Sequence, residues 1–306
     1  MREARISIVN THRGALQEDN TVVLRRTVDR IHQVSRDQPD LILIPEEFAN
    51  CTTECTPKAV QESAQSTDGP IAEELAALAR RYRTYIAFGL LRRAGRRVFN
   101  SLVLLDRQGK PVWTFDKITP IVPEMTDGRI SPGRRLKPFD CDFGRVAGAI
   151  CFDINFAELG ESYFHQEVEL LLFSSAFPGG RLLDAWVARY GFALAQSTWY
   201  ERNRILSCTG AMVAQTSDIL PTATACLNLN RRIVHMDGNL EKIDRMRDQY
   251  RGDVLLEDLR EEAVCVITSL KKGLEVSHLI KEFKVETLTA YFDRSRRVRR
   301  NQGGLR

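Results

Sequence analysis

The sequence predicts one α/β domain. Two observations carry this: short, wholly apolar runs of strand length, such as LILI at 41–44 and VAGAI at 146–150, and amphipathic stretches of helix length alternating with them along the chain. A third is an absence of division. No low-complexity linker, internal repeat or sharp compositional break interrupts the 306 residues, a length one large domain accommodates.

Element by element, ARISIVN at 4–10 reads as a strand, and 19–36 as a helix in which Leu24, Val28 and Ile31 recur on one face. Pro39 and Asp40 stop that helix. Leu41–Ile44 then has the continuous apolarity of a strand buried on both faces, ending in Pro45-Glu46-Glu47. The polar stretch 51–70 reads as a loop with one short helix, and 71–83 as an amphipathic helix built on Ile71, Leu75 and Leu78. Strands follow at 85–91, 98–106 and 111–115, the last two joined through Gly109 as a hairpin. Two more lie within 139–152 around the turn at 142–145, then a helix near 157–166 and a strand at 170–174. A long helix is expected over 182–198, and alternating short strands and polar loops over 205–275, with a charged stretch at 239–262.

Composition narrows the function classes. No apolar run approaches the roughly 18 residues of a membrane span, and MREARISIVN lacks the basic and apolar regions of a secretory leader. A cytoplasmic protein with no membrane partner is the expectation. Seven cysteines, at 51, 55, 141, 151, 208, 226 and 265, follow no framework spacing, which favours reduced thiols over disulfides. Neither Cys51 and Cys55 nor His12, His32, His165, His235 and His278 show zinc-ligand or triad spacing, so no metal is expected. The net charge is +4, and six arginines follow Asp293 with no further acid. This basic tail, 291–306, carries no interleaved aromatic platform, so nucleic acid is not expected as a partner.

Three reactive side chains stand in comparable places. Glu46 follows LILIP, Lys117 follows VWTFD and Cys151 follows VAGAI. Ligand clefts of open α/β sheets lie beyond the carboxyl ends of strands, so a carboxylate, an ammonium and a thiol could meet there. Each also has an ordinary reading: Cys151 as a small core residue, Lys117 as a surface lysine, and either Glu46 or the adjacent Glu47 as a surface carboxylate.

PEEF, FDK and ICFD, in this order, resemble the nitrilase superfamily of carbon–nitrogen hydrolases, whose catalytic Glu, Lys and Cys lie in those motifs. The likeness extends to Asn20, to FNSLVLLDRQGKPVWTFDK, to SPG at 131–133 and to FDCDFGRVAGAICFD, and covers most of the chain. It implies a four-layer α-β-β-α sandwich over 1–290, a homodimer or larger homo-oligomer, and no cofactor. It also selects Glu46 over Glu47, because the family's base directly follows proline. The implied roles are Glu46 as general base, Cys151 as nucleophile, and Lys117 with the Phe152 N–H as holders of the developing oxyanion. Glu124 stands where the family often has a second glutamate, positioning substrate or tuning Lys117.

The chemistry accounts for these residue types. A thiol at its ordinary pKa is only about a few per cent thiolate at neutral pH, so a carboxylate within reach must take its proton. The resemblance then implies a thiol hydrolase of nonpeptide carbon–nitrogen bonds. Amides are the first substrate class, N-carbamoyl compounds such as ureido acids the second and nitriles the third. Acyl transfer to an amine, and a non-catalytic scaffold that keeps the fold, are the other readings. The chain departs from the family in two places. The run after Cys151 reads Asp153-Ile154-Asn155-Phe156-Ala157-Glu158, lacking the usual arginine and proline, and Ala193 and Gln196 stand where an arginine and a glutamate are common.

Overall fold

The computed structural model describes residues 2–11, 18–52 and 54–304, so His12 lies outside it. The chain forms two compact units, one of Ala4–Leu227 and one joining its start, up to Glu3, to everything from Asn228 onward.

The larger unit is built from β1 (Glu3–Val9), α1 (Asn20–Val34), β2 (Leu41–Leu43), α2 (Pro57–Ser63), α3 (Pro70–Tyr82), β3 (Tyr85–Ala94), β4 (Arg97–Leu105) and β5 (Pro111–Asp116). Then come α4 (Val122–Thr126), β6 (Phe139–Cys141), β7 (Gly144–Ile150), α5 (Ala157–His165), β8 (Leu170–Ser175) and α6 (Arg181–Tyr190). It closes with β9 (Ala193–Thr198), β10 (Arg204–Leu206), β11 (Met212–Gln215) and β12 (Thr222–Asn228). One sheet has the order β12-β1-β2-β3-β4-β5 and the other β11-β10-β9-β8-β7-β6. β1, β2 and β3 run parallel, β4 reverses, and β5 returns to the direction of β3. β7, β8 and β9 are parallel in the second sheet. The carboxyl ends of β2, β3 and β5 therefore share one edge of the first sheet.

The two sheets pack face to face, β2 on β9, β3 on β8, and both β4 and β5 on β7. Ser174 Oγ donates to the Ile44 carbonyl across the interface at 3.2 Å. Such packing explains why the central strands are apolar without alternation: each has a helix on one side and a sheet on the other. Val23 and Ile31 of α1 and Ile71, Leu75 and Leu78 of α3 cover the outer face of the first sheet over Ile42 and Phe88. On the far side, Tyr163 of α5 is buried and its hydroxyl donates to the Gly148 carbonyl of β7 at 2.7 Å. Leu183 and Val187 of α6 are buried beside it, which completes the expected α-β-β-α sandwich.

The smaller unit holds β13 (Arg231–His235), α7 (Leu240–Tyr250), β14 (Val254–Leu259), β15 (Val264–Ser269), α8 (Val276–Glu282) and α9 (Leu288–Asn301). Its antiparallel sheet, in the order β13-β15-β14, shares a core of Val234, Ile243, Met246, Ile267 and Leu279 with α7 and α8. The arginine-rich stretch is helical. Thr287 caps α9 by accepting the Ala290 N–H, and Arg294 and Arg296 pair with Glu286 and Asp293.

Two expectations are corrected. The helix expected over 182–198 ends at Tyr190, because Gly191 takes the left-handed conformation (φ 69°) and closes the last turn on Val187. Ala193–Thr198 is strand β9, fully buried beside β8. The charged stretch, expected as strands and loops, contains helix α7, whose only buried side chains, Ile243 and Met246, sit three residues apart on one face. Among the described residues no helix is long and apolar enough to cross a membrane.

Candidate active site

Glu46, Lys117 and Cys151 converge. Each leaves the end of a strand, the buried β2 and the edge strand β5 in one sheet and the buried β7 in the other, and the packed sheets bring those ends together. Lys117 Nζ lies 2.9 Å from Glu46 Oε1, and the two side chains are only 2% and 4% exposed. Glu124, from the short α4, completes the cluster, with Lys117 donating to its two oxygens at 3.2 and 3.0 Å. The Cys151 thiol lies close enough to Glu46 and Lys117 for both charges to act on it.

Backbone close approaches hold these positions. A Cβ on Gly89 of β3 would lie 2.3 Å from Glu46 Cα and 2.4 Å from the Pro45 carbonyl oxygen, so the Pro45–Glu47 segment crosses β3 where only glycine leaves room. Gly133, of the SPG stretch, packs against the Asp116 carbonyl and donates its N–H to the Lys117 carbonyl at 2.8 Å. Asp116 itself is clamped by Arg92 and Ser101, which fixes the strand end that presents Lys117.

Cys151 has φ 52°, a left-handed conformation that costs a non-glycine residue about 1–2 kcal/mol and marks a constrained turn. The chain passes through it from β7 into a short 3-10 helix, Cys151–Asn155. Asp153 holds this turn. Its carboxylate accepts the Ile150 N–H at 3.1 Å and the Thr119 N–H at 2.8 Å, tying the thiol's turn to the loop that follows Lys117. Asn155, in place of the family's usual arginine, donates to the Phe152 carbonyl at 2.9 Å and so braces the turn from within. Phe152 is half-buried, its ring edge-on to Phe156.

The electrostatics follow from burial. Desolvation pushes the Cys151 thiol well above the ordinary range and the Glu46 charge adds to that, outweighing the opposite pull of Lys117 and Ser175. Burial also disfavours the charge on Lys117, yet Glu46, Cys151 and Glu124 more than offset it and hold the ammonium above the usual lysine range. Asp153 is pushed up to about 6 by burial, against the pull of the backbone N–H groups that bond it. The site therefore rests with a protonated thiol beside a buried ammonium–carboxylate cluster.

Several partners escaped the sequence reading. Asn100 of β4 donates to Glu46 Oε1 at 2.7 Å and to Glu124 Oε1 at 3.1 Å. The Ala176 N–H donates to Glu46 Oε2 at 2.7 Å, and the Trp199 indole to the Glu46 carbonyl at 2.7 Å. An amide inside the apolar run VFNSLVLL, and the serine pair ending β8, were the available signals. Glu47 also has a left-handed backbone (φ 41°) but is not among the residues bonded to Lys117. Among the described residues, no group of three or more His, Cys, Asp or Glu side chains is arranged to hold a metal ion.

Residues 5–200 match the model of a protein family described as carbon–nitrogen hydrolase. A deaminated glutathione amidase of Yersinia enterocolitica is 25% identical over 192 residues, 58% of this chain and 64% of that protein. An omega-amidase of Danio rerio is 23% identical over 185 residues, 58% of this chain and 65% of that one. The chain thus spans less than two thirds of the length of these curated relatives. Among solved structures, the C. elegans NitFhit protein superposes with a TM-score of 0.66 at 14% identity, covering 92% of this chain and 98% of that one. An amidase from Nesterenkonia sp. gives 0.61 at 17% identity, covering 73% and 90%. At these identities the structural likeness speaks for the fold.

Proposed function

Since this chain belongs to the carbon–nitrogen hydrolase family, we propose that its buried Glu46–Lys117–Cys151 cluster hydrolyses nonpeptide carbon–nitrogen bonds, with amides as the first substrate class. The observation that carries the reading is the meeting of a carboxylate, an ammonium and a thiol from three strand ends in two sheets. A solved relative adds support: a variant of the Nesterenkonia amidase has been captured with acrylamide added to its active-site cysteine.

The steps follow from the geometry. As the Cys151 sulfur bonds to the substrate carbonyl carbon, its proton passes to Glu46, because burial makes a free thiolate costly. The carbonyl oxygen becomes an oxyanion held by the Lys117 ammonium and the Phe152 N–H. A donor of this kind is worth about 3 kcal/mol to the transition state. The carbon–nitrogen bond then breaks, and Glu46 returns the proton to the departing ammonia or amine. Water, deprotonated by Glu46, attacks the thioester, and the sulfur leaves and recovers its proton from Glu46. Glu124 anchors Lys117 throughout.

An ammonia-release screen over amides, ureido acids and nitriles tests this beside Cys151→Ala. Release by the wild type, reduced at least about a thousandfold in a folded C151A protein, supports the reading. Undiminished turnover by C151A refutes the nucleophile, and the substrate class that releases ammonia fastest decides between amidase, carbamoylase and nitrilase. A protein that releases none, and whose cysteines all react sluggishly with iodoacetamide, is the scaffold. The reading includes a cytoplasmic homodimer or larger assembly, which sedimentation of the intact protein tests.

A further inference from the structure

The donors that hold Glu46 are of two kinds. Lys117, Asn100 and the Ala176 N–H donate to its carboxylate, whereas the Trp199 indole N–H donates to its backbone carbonyl at 2.7 Å. Trp199 directly follows β9 of the second sheet, and Glu46 lies beyond β2 of the first. These two strands face each other, so the bond ties their carboxyl ends together. Before Glu46 the chain is bonded to β3: the Ile44 N–H donates to the Ala87 carbonyl at 2.8 Å and the Gly89 N–H to the Pro45 carbonyl at 3.1 Å. At Glu47 it turns, through a left-handed backbone (φ 41°) that a non-glycine residue keeps only where its surroundings impose it. The Glu46 carbonyl belongs to the peptide between these two stretches. An indole N–H can only donate, so the bond has one possible direction. The segment that carries Trp199 is braced in turn, the Tyr200 N–H donating to Thr198 Oγ1 at 3.2 Å and the fully buried Asn203 to the Tyr200 carbonyl at 2.9 Å.

We infer that Trp199 is a positioning residue for the base: its indole fixes the Glu46–Glu47 peptide and so keeps the Glu46 carboxylate aimed at the Cys151 sulfur. The inference rests on the proposed function, in which Glu46 takes the Cys151 proton. In that cycle the carboxylate becomes a neutral acid twice, once when it holds the thiol proton and once when it holds the proton of water. A neutral acid accepts weaker bonds from Lys117, Asn100 and the Ala176 N–H, because the charge that strengthened them is gone. The bond on the backbone carbonyl is indifferent to that charge. Trp199 therefore holds the base in place through the steps in which its side-chain partners loosen, and it does so from the sheet whose β7 leads into the Cys151 turn.

Variants of the full-length protein test this. Trp199→Phe keeps an aromatic ring without the donor. Trp199→His restores a donor, since imidazole overlays the pyrrole half of the indole and its Nε2 falls where Nε1 was. Trp199→Met, a flexible apolar filler, is a second donor-free variant should W199F fail to fold. The main reading is the rate at which iodoacetamide alkylates Cys151, followed by mass spectrometry of the peptide that carries it, in protein whose fold is checked by circular dichroism. W199F is expected to slow this labelling about tenfold, the factor one ordinary hydrogen bond is worth, and W199H to recover most of it. In a Glu46→Gln background W199F should slow it no further, whereas a merely structural role would slow both backgrounds equally. Turnover should follow, with kcat down about tenfold at unchanged KM. Labelling as fast in W199F as in the wild type, equal slowing in both backgrounds, or no recovery in W199H overturns the inference alone. Wild-type Cys151 that labels no faster than in E46Q overturns the proposed base as well, so the two failures are told apart.

Discussion

Asn100→Leu isolates the amide that bridges the two glutamates. Asn100 is buried, and its Nδ2 donates to Glu46 Oε1 at 2.7 Å and to Glu124 Oε1 at 3.1 Å. A buried hydrogen bond to a charged group contributes about 1.5–3 kcal/mol, so the two donors together are worth several. The substitution also removes a defect. Asn100 Oδ1 is buried and accepts no hydrogen bond among the described residues, a liability of about 1–3 kcal/mol that leucine lacks. Leucine keeps asparagine's branched skeleton, so no cavity opens. The difference leaves a net loss of about 2–3 kcal/mol in unfolding free energy, read by urea denaturation. Turnover should fall further than stability alone explains, because among the described residues Lys117 is then the sole side-chain donor to the Glu46 carboxylate while Glu124 loses part of its tether. An N100L protein as stable and as active as the wild type would show that the amide bridge carries none of the site's order.

Gly89→Ala should be among the most damaging single-methyl changes, because its Cβ would meet backbone atoms of Pro45, Glu46 and Glu47 at 2.4, 2.3 and 2.6 Å. A loss of about 3 kcal/mol or more is expected in thermal unfolding, with kcat down on the order of a hundredfold in whatever fraction folds, since the proposed general base is displaced. Asp153 makes stability depend on pH with a definite sign. Its folded value of about 6 lies above the unfolded 3.8, so its stabilising contribution is complete below the unfolded value and is lost as pH rises through 6. Between pH 4 and pH 7 the wild type should lose about 2 kcal/mol relative to Asp153→Asn, measured by urea denaturation of both; a constant difference would refute the burial argument.

The sequence made Glu46 and Cys151 legible because each follows a buried strand, and such strands show themselves as apolar runs, LILI and VAGAI. Lys117 follows the half-exposed edge strand β5 and was picked out by the family likeness of FDK, the same likeness that chose Glu46 over Glu47. Asn100 stayed hidden for the opposite reason. A polar residue inside VFNSLVLL gives no sign of its partners, which lie 54 and 24 residues away in sequence. The break at Gly191 was written in the chain, but the apolar ALAQ after it continues a plausible helix face, and only its pairing with β8 makes it a strand. α7 was missed because a helix with two buried side chains carries little hydrophobic periodicity to read. The division near Leu227 has no compositional mark at all, since it is a property of packing.

A thiol made harder to ionise looks at first like a poor nucleophile, and the charge inventory of the site explains why it need not be. At rest the cluster holds Glu46 and Glu124 as carboxylates and Lys117 as an ammonium, beside a neutral thiol. In the proposed mechanism the thiol proton passes to Glu46 during attack, so negative charge leaves the carboxylate and appears on the substrate oxygen. The net charge of the buried site does not change; one negative charge moves. Lys117 bonds Glu46 in the resting state, and the neutralised acid holds it more weakly, so its ammonium turns to the oxyanion when one forms. Full ionisation of Cys151 would instead have placed a third negative charge in the same low-dielectric space before any substrate arrived, at greater cost. On this reading the raised thiol is the resting condition that lets one carboxylate act as acid and base in turn, with Glu124 keeping the ammonium in place while Glu46 gives up its charge and recovers it.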